Sequence, residues 1–268
     1  MSDLNEDHAL LIKSVREGGA IALCYFHDSV KHWEKGYDDP VSEADHAVDE
    51  FLREKLLEYR PQYGWLSEET EDDLKRLNCR DIWVVDPIDG TRAFIQQRAE
   101  FTVCAALVHD SRPVAAAVYN PAKEEFFEAV LGGGARLNGK PIQVSSKIDF
   151  EGSRLLTGRN LFKNAGNSHK PANVTIQMIN SIAYRMCLVA GGQYDACISL
   201  SGKSDWDIAA ADLILTEAGG VNTTSHGQNF IYNRPDPRHK SVISAGPALH
   251  AHVLEFLNTK KRPPGAKW

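Results

Sequence analysis

Apolar residues near the start of the chain fall on a helical rhythm: Leu4, Leu11, Val15, Ala22 and Phe26 line one stripe. Asp3 and Glu6 have the spacing of a capping box at the start of that helix. No such rhythm runs through 30–40, which holds Gly36, Asp38, Asp39 and Pro40 and reads as a mobile loop. A second capping signature, Ser42-Glu43-Ala44-Asp45, opens a helix expected to reach Tyr59 and to end before Pro61. Ala44, Val48, Phe51, Leu52, Leu56 and Tyr59 form its apolar face. Trp65-Leu66 then reads as a short strand running into the acidic turn Glu68-Glu69-Thr70. The run Ile82-Trp83-Val84-Val85 predicts a buried strand that stops at Asp86-Pro87, because proline has no N–H to continue a ladder.

From 101 onward the pattern is that of strands, over 101–108, 114–120 and 125–130, forming an antiparallel meander. Asn138-Gly139 marks a tight hairpin after it. Beyond Phe150 helices and strands alternate: helix 181–190 ended by Gly191-Gly192, strand 194–200, helix 205–218 ended by Gly219-Gly220, strand 241–245 and helix 248–257. A meander followed by β/α alternation implies an α+β half over 1–148 and an α/β half over 149–268.

The chemistry gathers at strand ends. Asp86 and Asp89 are three residues apart in a turn, followed by Gly90, which allows close approach of a ligand, and by the hydroxyl of Thr91. Paired carboxylates repel unless a cation lies between them, and hard oxygen ligands suit Mg²⁺. Glu68 and Glu69 precede this strand, and Trp206-Asp207 opens an apolar helix, where an acid also complements the helix dipole. Asp45 has the same first-turn explanation. A near P-loop, Gly134 to Lys140, fails because Pro141 stands where the Mg²⁺-binding hydroxyl belongs and no helix follows. The three-residue spacing of Asp86 and Asp89 also argues against a covalent aspartyl-phosphate mechanism of the haloacid dehalogenase type, which needs a spacing of two.

Together, Glu68-Glu69, Asp86-Pro87-Ile88-Asp89-Gly90-Thr91, Trp206-Asp207 and Thr216-Glu217-Ala218-Gly219-Gly220 closely resemble the inositol monophosphatase family. The resemblance implies a layered αβαβα sandwich, a homodimer, and a phosphomonoesterase dependent on two or three Mg²⁺ and sensitive to Li⁺. It implies Glu68, Asp86 and the carbonyl of Ile88 as ligands of one metal, and Asp86, Asp89 and Asp207 as ligands of a second, with Glu68 near a third. Gly90 and Thr91 would offer amides to the phosphate, Asp45 and Thr91 would activate water, and Asp89 and Asp207 would also face the substrate. The segment from Ser199 to Lys203 lacks the glutamate with which inositol-specific members hold ring hydroxyls. Arg185 falls where related 3′(2′),5′-bisphosphate nucleotidases carry a basic residue. Those departures leave inositol monophosphate and 3′-phosphoadenosine 5′-phosphate both open as substrates. Some relatives act as RNA- or polymerase-associated regulators, a third role.

Composition narrows the partners. With 43% hydrophobic and 25% charged residues over 268 positions, the chain has the makeup of an ordinary globular protein. A net charge of −6 argues against a general nucleic-acid-binding surface. Five cysteines without a C-x-x-C pair, four of them in apolar contexts, read as reduced, buried thiols of a cytoplasmic protein. No secretory signal is evident, and no apolar run approaches the ~18 residues that span a bilayer. The basic, Pro-rich tail from Lys260 reads as a frayed end.

Overall fold

The computed structural model describes residues 2–27, 30–36, 39–158, 161–162 and 171–260. Helix α1 spans Ser2–Phe26 and α2 Glu43–Tyr59. Because α1 already contains Ser2, Asp3 lies inside the helix rather than at its cap, contrary to the sequence expectation. The α2 start is as expected: Ser42 is the extended N-cap, and its N–H and hydroxyl both donate to Asp45 Oδ2, at 2.9 and 2.6 Å. Tyr59, predicted on the buried face, is exposed as the last residue of the helix, whereas Leu52 and Leu56 are buried in the core shared with the sheet.

The segment read as a loop is a hairpin, β1 (His32–Gly36) against β2 (Asp39–Ser42). Every residue of β1 is exposed, so no apolar alternation announces it.

A seven-stranded sheet runs β3 (Gly64–Ser67), β4 (Asp81–Asp89), β5 (Thr102–His109), β6 (Arg112–Asn120), β7 (Glu125–Val130), β8 (Ala135–Leu137) and β9 (Lys140–Pro141) in sequence order. Only the β3–β4 pair is parallel. Asn138 and Gly139, at φ of 50° and 77°, make the tight turn between β8 and β9.

Strand β4 does not stop at Asp86-Pro87. Asp86 faces Cys104 of β5 and Asp89 faces Thr102, so three steps of β4 oppose two of β5, and Pro87 lies in the resulting bulge. A bulged residue needs no ladder N–H, which is why proline is tolerated inside this strand. Short helix α3 (Thr91–Ile95) follows at once.

After β9 the chain builds a second sheet from β10 (Arg154–Thr157), β11 (Thr175–Gln177), β12 (Ala196–Ser199), β14 (Val221–Thr223) and β16 (Val242–Ala245), ordered β11-β10-β12-β16-β14. A small ladder pairs β13 (Lys203–Ser204) with β15 (Arg238–His239). The remaining helices are α4 (Ile182–Ala190), α5 (Asp205–Glu217) and α6 (Pro247–Lys260).

Side-chain alternation shows the layering. Trp83 and Val85 pack with Leu11 and Val15 of α1 and Leu52 of α2, while Ile82 and Val84 pack with α4 and α5 on the opposite face. Leu156 and Cys197 of the second sheet join that same middle core, and Leu155, Ala196 and Ile198 turn the other way toward Leu249 and Val253 of α6. The fold is therefore an αβαβα sandwich. It also explains the unbroken apolar run of β4, whose two faces both meet helices.

All five cysteines are free, but three rather than four are buried, since Cys24 is exposed on α1 and Cys79 only half-buried. Among the described residues no helix is long and apolar enough to cross a membrane. The basic tail beyond Lys260 lies outside the described residues.

Candidate active site

The carboxyl ends of β3 and β4 and the first turns of α4 and α5 converge on one cavity of about 330 Å³. Asp86, Asp89 and Asp207 each direct an oxygen to within 4.8 Å of the others, an arrangement that could hold a metal ion. Their surroundings differ. Asp89 Oδ2 accepts from the Ser181 hydroxyl and from the Ala183 N–H, both at 2.6 Å. Asp207 Oδ2 accepts from the Ser204 N–H at 2.5 Å as the third residue of a capping box. Asp86 is 1% exposed, and neither of its oxygens has a hydrogen-bond partner among the described residues. An ionised carboxylate so placed is costly unless a cation faces it.

Glu68 and Ile88 line the same cavity, as do Gly90, Thr91 and Arg185. Glu68 is not drawn into the aspartate cluster. Lys35, carried in by the β1–β2 hairpin, lies 3.1 Å from Glu68 and 2.7 Å from Glu69. Glu69, which its sequence context would put in solvent, has a side chain only 2% exposed. Ser67 fixes the end of β3 by donating to Asp49, which also accepts from the Thr70 hydroxyl at 2.7 Å.

Asp45 stands behind Thr91. The Thr91 hydroxyl lies 3.1 Å from Asp45 Oδ1 and 3.0 Å from the Ile88 carbonyl, so its one proton can serve either acceptor. Gly90, at φ +102°, is the hinge from β4 into α3, and a Cβ there would come 2.7 Å from the Glu100 carbonyl. Among the described residues Arg185 makes no carboxylate pair. Its Nε donates to the Ser181 carbonyl at 3.2 Å, and the guanidinium borders the cavity.

Burial dominates the electrostatics. It pushes Glu68 up to about 8, and Asp45 and Asp207 up to about 6. Asp86 is raised well above the ordinary range by burial and then by Glu68, Asp89 and Asp207. Asp89 is also raised by burial, although the Ser181 and Ala183 donors work the other way. Four carboxylates lining the cavity, with Asp45 behind Thr91, thus retain protons because burial disfavours their charged forms. That is the condition a divalent cation relieves.

Residues 3–261 match the inositol monophosphatase family. The chain belongs to that family. An inositol monophosphatase of Dictyostelium discoideum is 35% identical over 258 residues, covering 92% of this chain and 93% of the relative. The Nus factor SuhB of Escherichia coli strain K12 is 30% identical over 234 residues, covering 83% and 86%. Among solved structures, the extragenic suppressor protein suhB of Bartonella henselae superposes with a TM-score of 0.81 at 26% identity, over 93% of this chain and 97% of that one. As a member of the inositol monophosphatase family the protein is a phosphomonoesterase.

Two residues at this site escaped the sequence reading. Ser181 had a usable signal, since a serine directly before an apolar helical run is an N-cap, but nothing local tied it to Asp89. Lys35 had none, because its strand is wholly exposed.

Proposed function

We propose that this chain is a Mg²⁺-dependent phosphatase that hydrolyses a small phosphate monoester, such as inositol monophosphate, by in-line attack of water. The orphaned carboxylate of Asp86, with oxygens of Asp89 and Asp207 within 4.8 Å, carries the proposal. All-oxygen, multiply anionic donor sets fit Mg²⁺. Asp86, Asp89, Asp207, Glu68 and the Ile88 carbonyl would hold two or three ions. Bound there, Mg²⁺ supplies neutralisation of the dianionic phosphoryl group, activation of water and stabilisation of the leaving alkoxide.

The chain's own groups do the rest. Asp45, pushed up to about 6 by burial, accepts the Thr91 proton at Oδ1 as Thr91 Oγ takes one from the attacking water. The opening amides at Gly90 and Thr91, outside the helical ladder of α3, face the phosphoryl oxygens. Ser181 holds Asp89 by one oxygen and leaves the other for the cluster. Ser181→Ala removes both that hold and the α4 cap. Stability should fall by about 1 kcal/mol in denaturant titration, and kcat by about tenfold or more. Ser181→Thr should restore both, and an unchanged kcat in the alanine variant would contradict this role.

Two features favour a more anionic substrate, in particular a 3′(2′),5′-bisphosphate nucleotide such as 3′-phosphoadenosine 5′-phosphate. The Arg185 guanidinium borders the cavity, and the stretch from Ser199 to Lys203 carries no carboxylate to accept from ring hydroxyls. A comparison of kcat/KM for inositol 1-phosphate and 3′-phosphoadenosine 5′-phosphate separates the two readings. If the nucleotide is preferred, Arg185→Gln should reduce its kcat/KM about tenfold and leave inositol 1-phosphate within about threefold. Equal losses on both substrates would count against a second-phosphate contact. A homodimer, inhibition by Li⁺ and a cytoplasmic location follow from the same family reading. A regulatory role is suggested only by the name of the E. coli relative.

A further inference from the structure

Away from the catalytic pocket, the chain from Thr224 to Lys240 folds around a second cavity of about 550 Å³. The two cavities share no lining residue. Among the described residues no carboxylate lines this one, whereas Arg234, Arg238 and Lys240 do, along with the donor side chains of Gln228 and Asn229. In a chain of net charge −6 that is an unusual concentration of positive charge.

The wall is built rather than loose. Arg234 is only partly exposed, and its Nε and Nη2 donate to the carbonyls of Ile231 and Arg238 at 3.0 and 2.7 Å. Its own carbonyl accepts from buried Arg76 at 3.1 Å, and Arg76 also donates to Asn233 Oδ1 at 2.7 Å. His239 packs beneath, 2.7 Å from Asp205, whose other oxygen accepts from the Asn233 N–H at 2.8 Å. Arg238 engages Asp236 at 2.8 Å, which offsets one of the three cations and leaves Arg234 and Lys240 without an ion pair among the described residues.

We propose that this cavity binds a small phosphorylated anion, at a site separate from the catalytic pocket. A guanidinium held by backbone carbonyls cannot swing away to find another partner, so its charge is pre-organised for a ligand. Clustered oxygens on one ligand, as in a diphosphate, match several donors on different side chains. A volume of about 550 Å³ is of the size that encloses a small molecule.

The test is calorimetric titration of the full chain with pyrophosphate in chelator at low salt, where the five carboxylates lining the catalytic pocket outnumber Arg92 and Arg185 there and oppose an anion. Saturable binding of one pyrophosphate per chain is expected. Arg238→Gln and Lys240→Gln, both exposed positions, should each weaken it about fivefold, and the double variant about twentyfold. Unchanged thermal midpoints and unchanged monoester hydrolysis in the variants would show that the fold and the catalytic pocket are intact. Absence of saturable binding, or a double variant that binds as tightly as the wild type, would overturn the proposal. Neither result touches the catalytic assignment, because no residue is common to the two sites.

Discussion

Removal of divalent cations is expected to lower monoester hydrolysis by at least ~100-fold, with full recovery on adding Mg²⁺. The reason is the charge of the empty-handed pocket. Asp39, Glu68, Asp86, Asp89 and Asp207 line it and Asp45 stands behind Thr91, against Arg92 and Arg185 in the lining and Lys35 and Lys203 nearby. A dianionic monoester would meet net repulsion there without added positive charge. The same balance predicts a pH dependence. Asp45 and Asp207 at about 6 and Glu68 at about 8 hold protons in the folded chain that the unfolded chain has released. Between about pH 4 and 8 the native state therefore binds more protons, and without metal this contribution to stability is lost as pH rises through that window. Mg²⁺ replaces those protons, so the rise in melting temperature on adding it should be small near pH 5 and grow toward pH 8. Melts in chelator and in Mg²⁺ across that range measure it. A metal-induced rise that shrinks with increasing pH, or hydrolysis that persists in chelator, would remove the basis for the metal assignment.

How much of this could be read from the chain alone depends on what each element packs against. Helix α2, β5 to β7 and α5 were legible because each has at least one continuously buried face, and burial is what imposes periodicity. Strands β10, β11 and β14, of three or four residues each, are too short to display a period, and β1 is exposed throughout. The Asp86 to Thr91 motif was legible as chemistry but misread as geometry. Pro87 alone predicts the end of β4, whereas pairing with β5 carries the strand through a bulge to Asp89. That bulge has a functional consequence: it brings Asp89 to the N-terminus of α4, 92 positions along from its partner Ser181. Contacts of that range leave no mark in a local pattern. Lys35 is the clearest case, since only tertiary structure reveals that an exposed strand delivers an ammonium to Glu68 and Glu69.

Replacing Asp86 by asparagine should separate stability from function most sharply. The variant keeps the shape of the side chain and removes one charge. Loss of a ligand common to both proposed metals should cut kcat/KM by at least ~100-fold. In chelator, however, the variant is expected to be the more stable protein. The Asp86 carboxylate is buried, lacks any donor, and lies in the field of Glu68, Asp89 and Asp207, so ionising it works against folding. Near pH 4 the unfolded chain still keeps much of its proton as well, so asparagine resembles the wild-type group closely and the melting temperatures should differ little. As pH rises the wild type must either ionise a surrounded carboxylate or hold a proton the unfolded chain does not, and the gap should widen to the order of 1 kcal/mol or more. Adding Mg²⁺ should reverse the order, because the wild type gains a cation that the variant holds weakly. Paired melts of the two proteins with and without Mg²⁺, at about pH 4 and pH 8, measure both differences. A variant less stable than the wild type in chelator at pH 8 would mean that Asp86 is held by something other than a metal, and the proposed centre would lose its middle ligand.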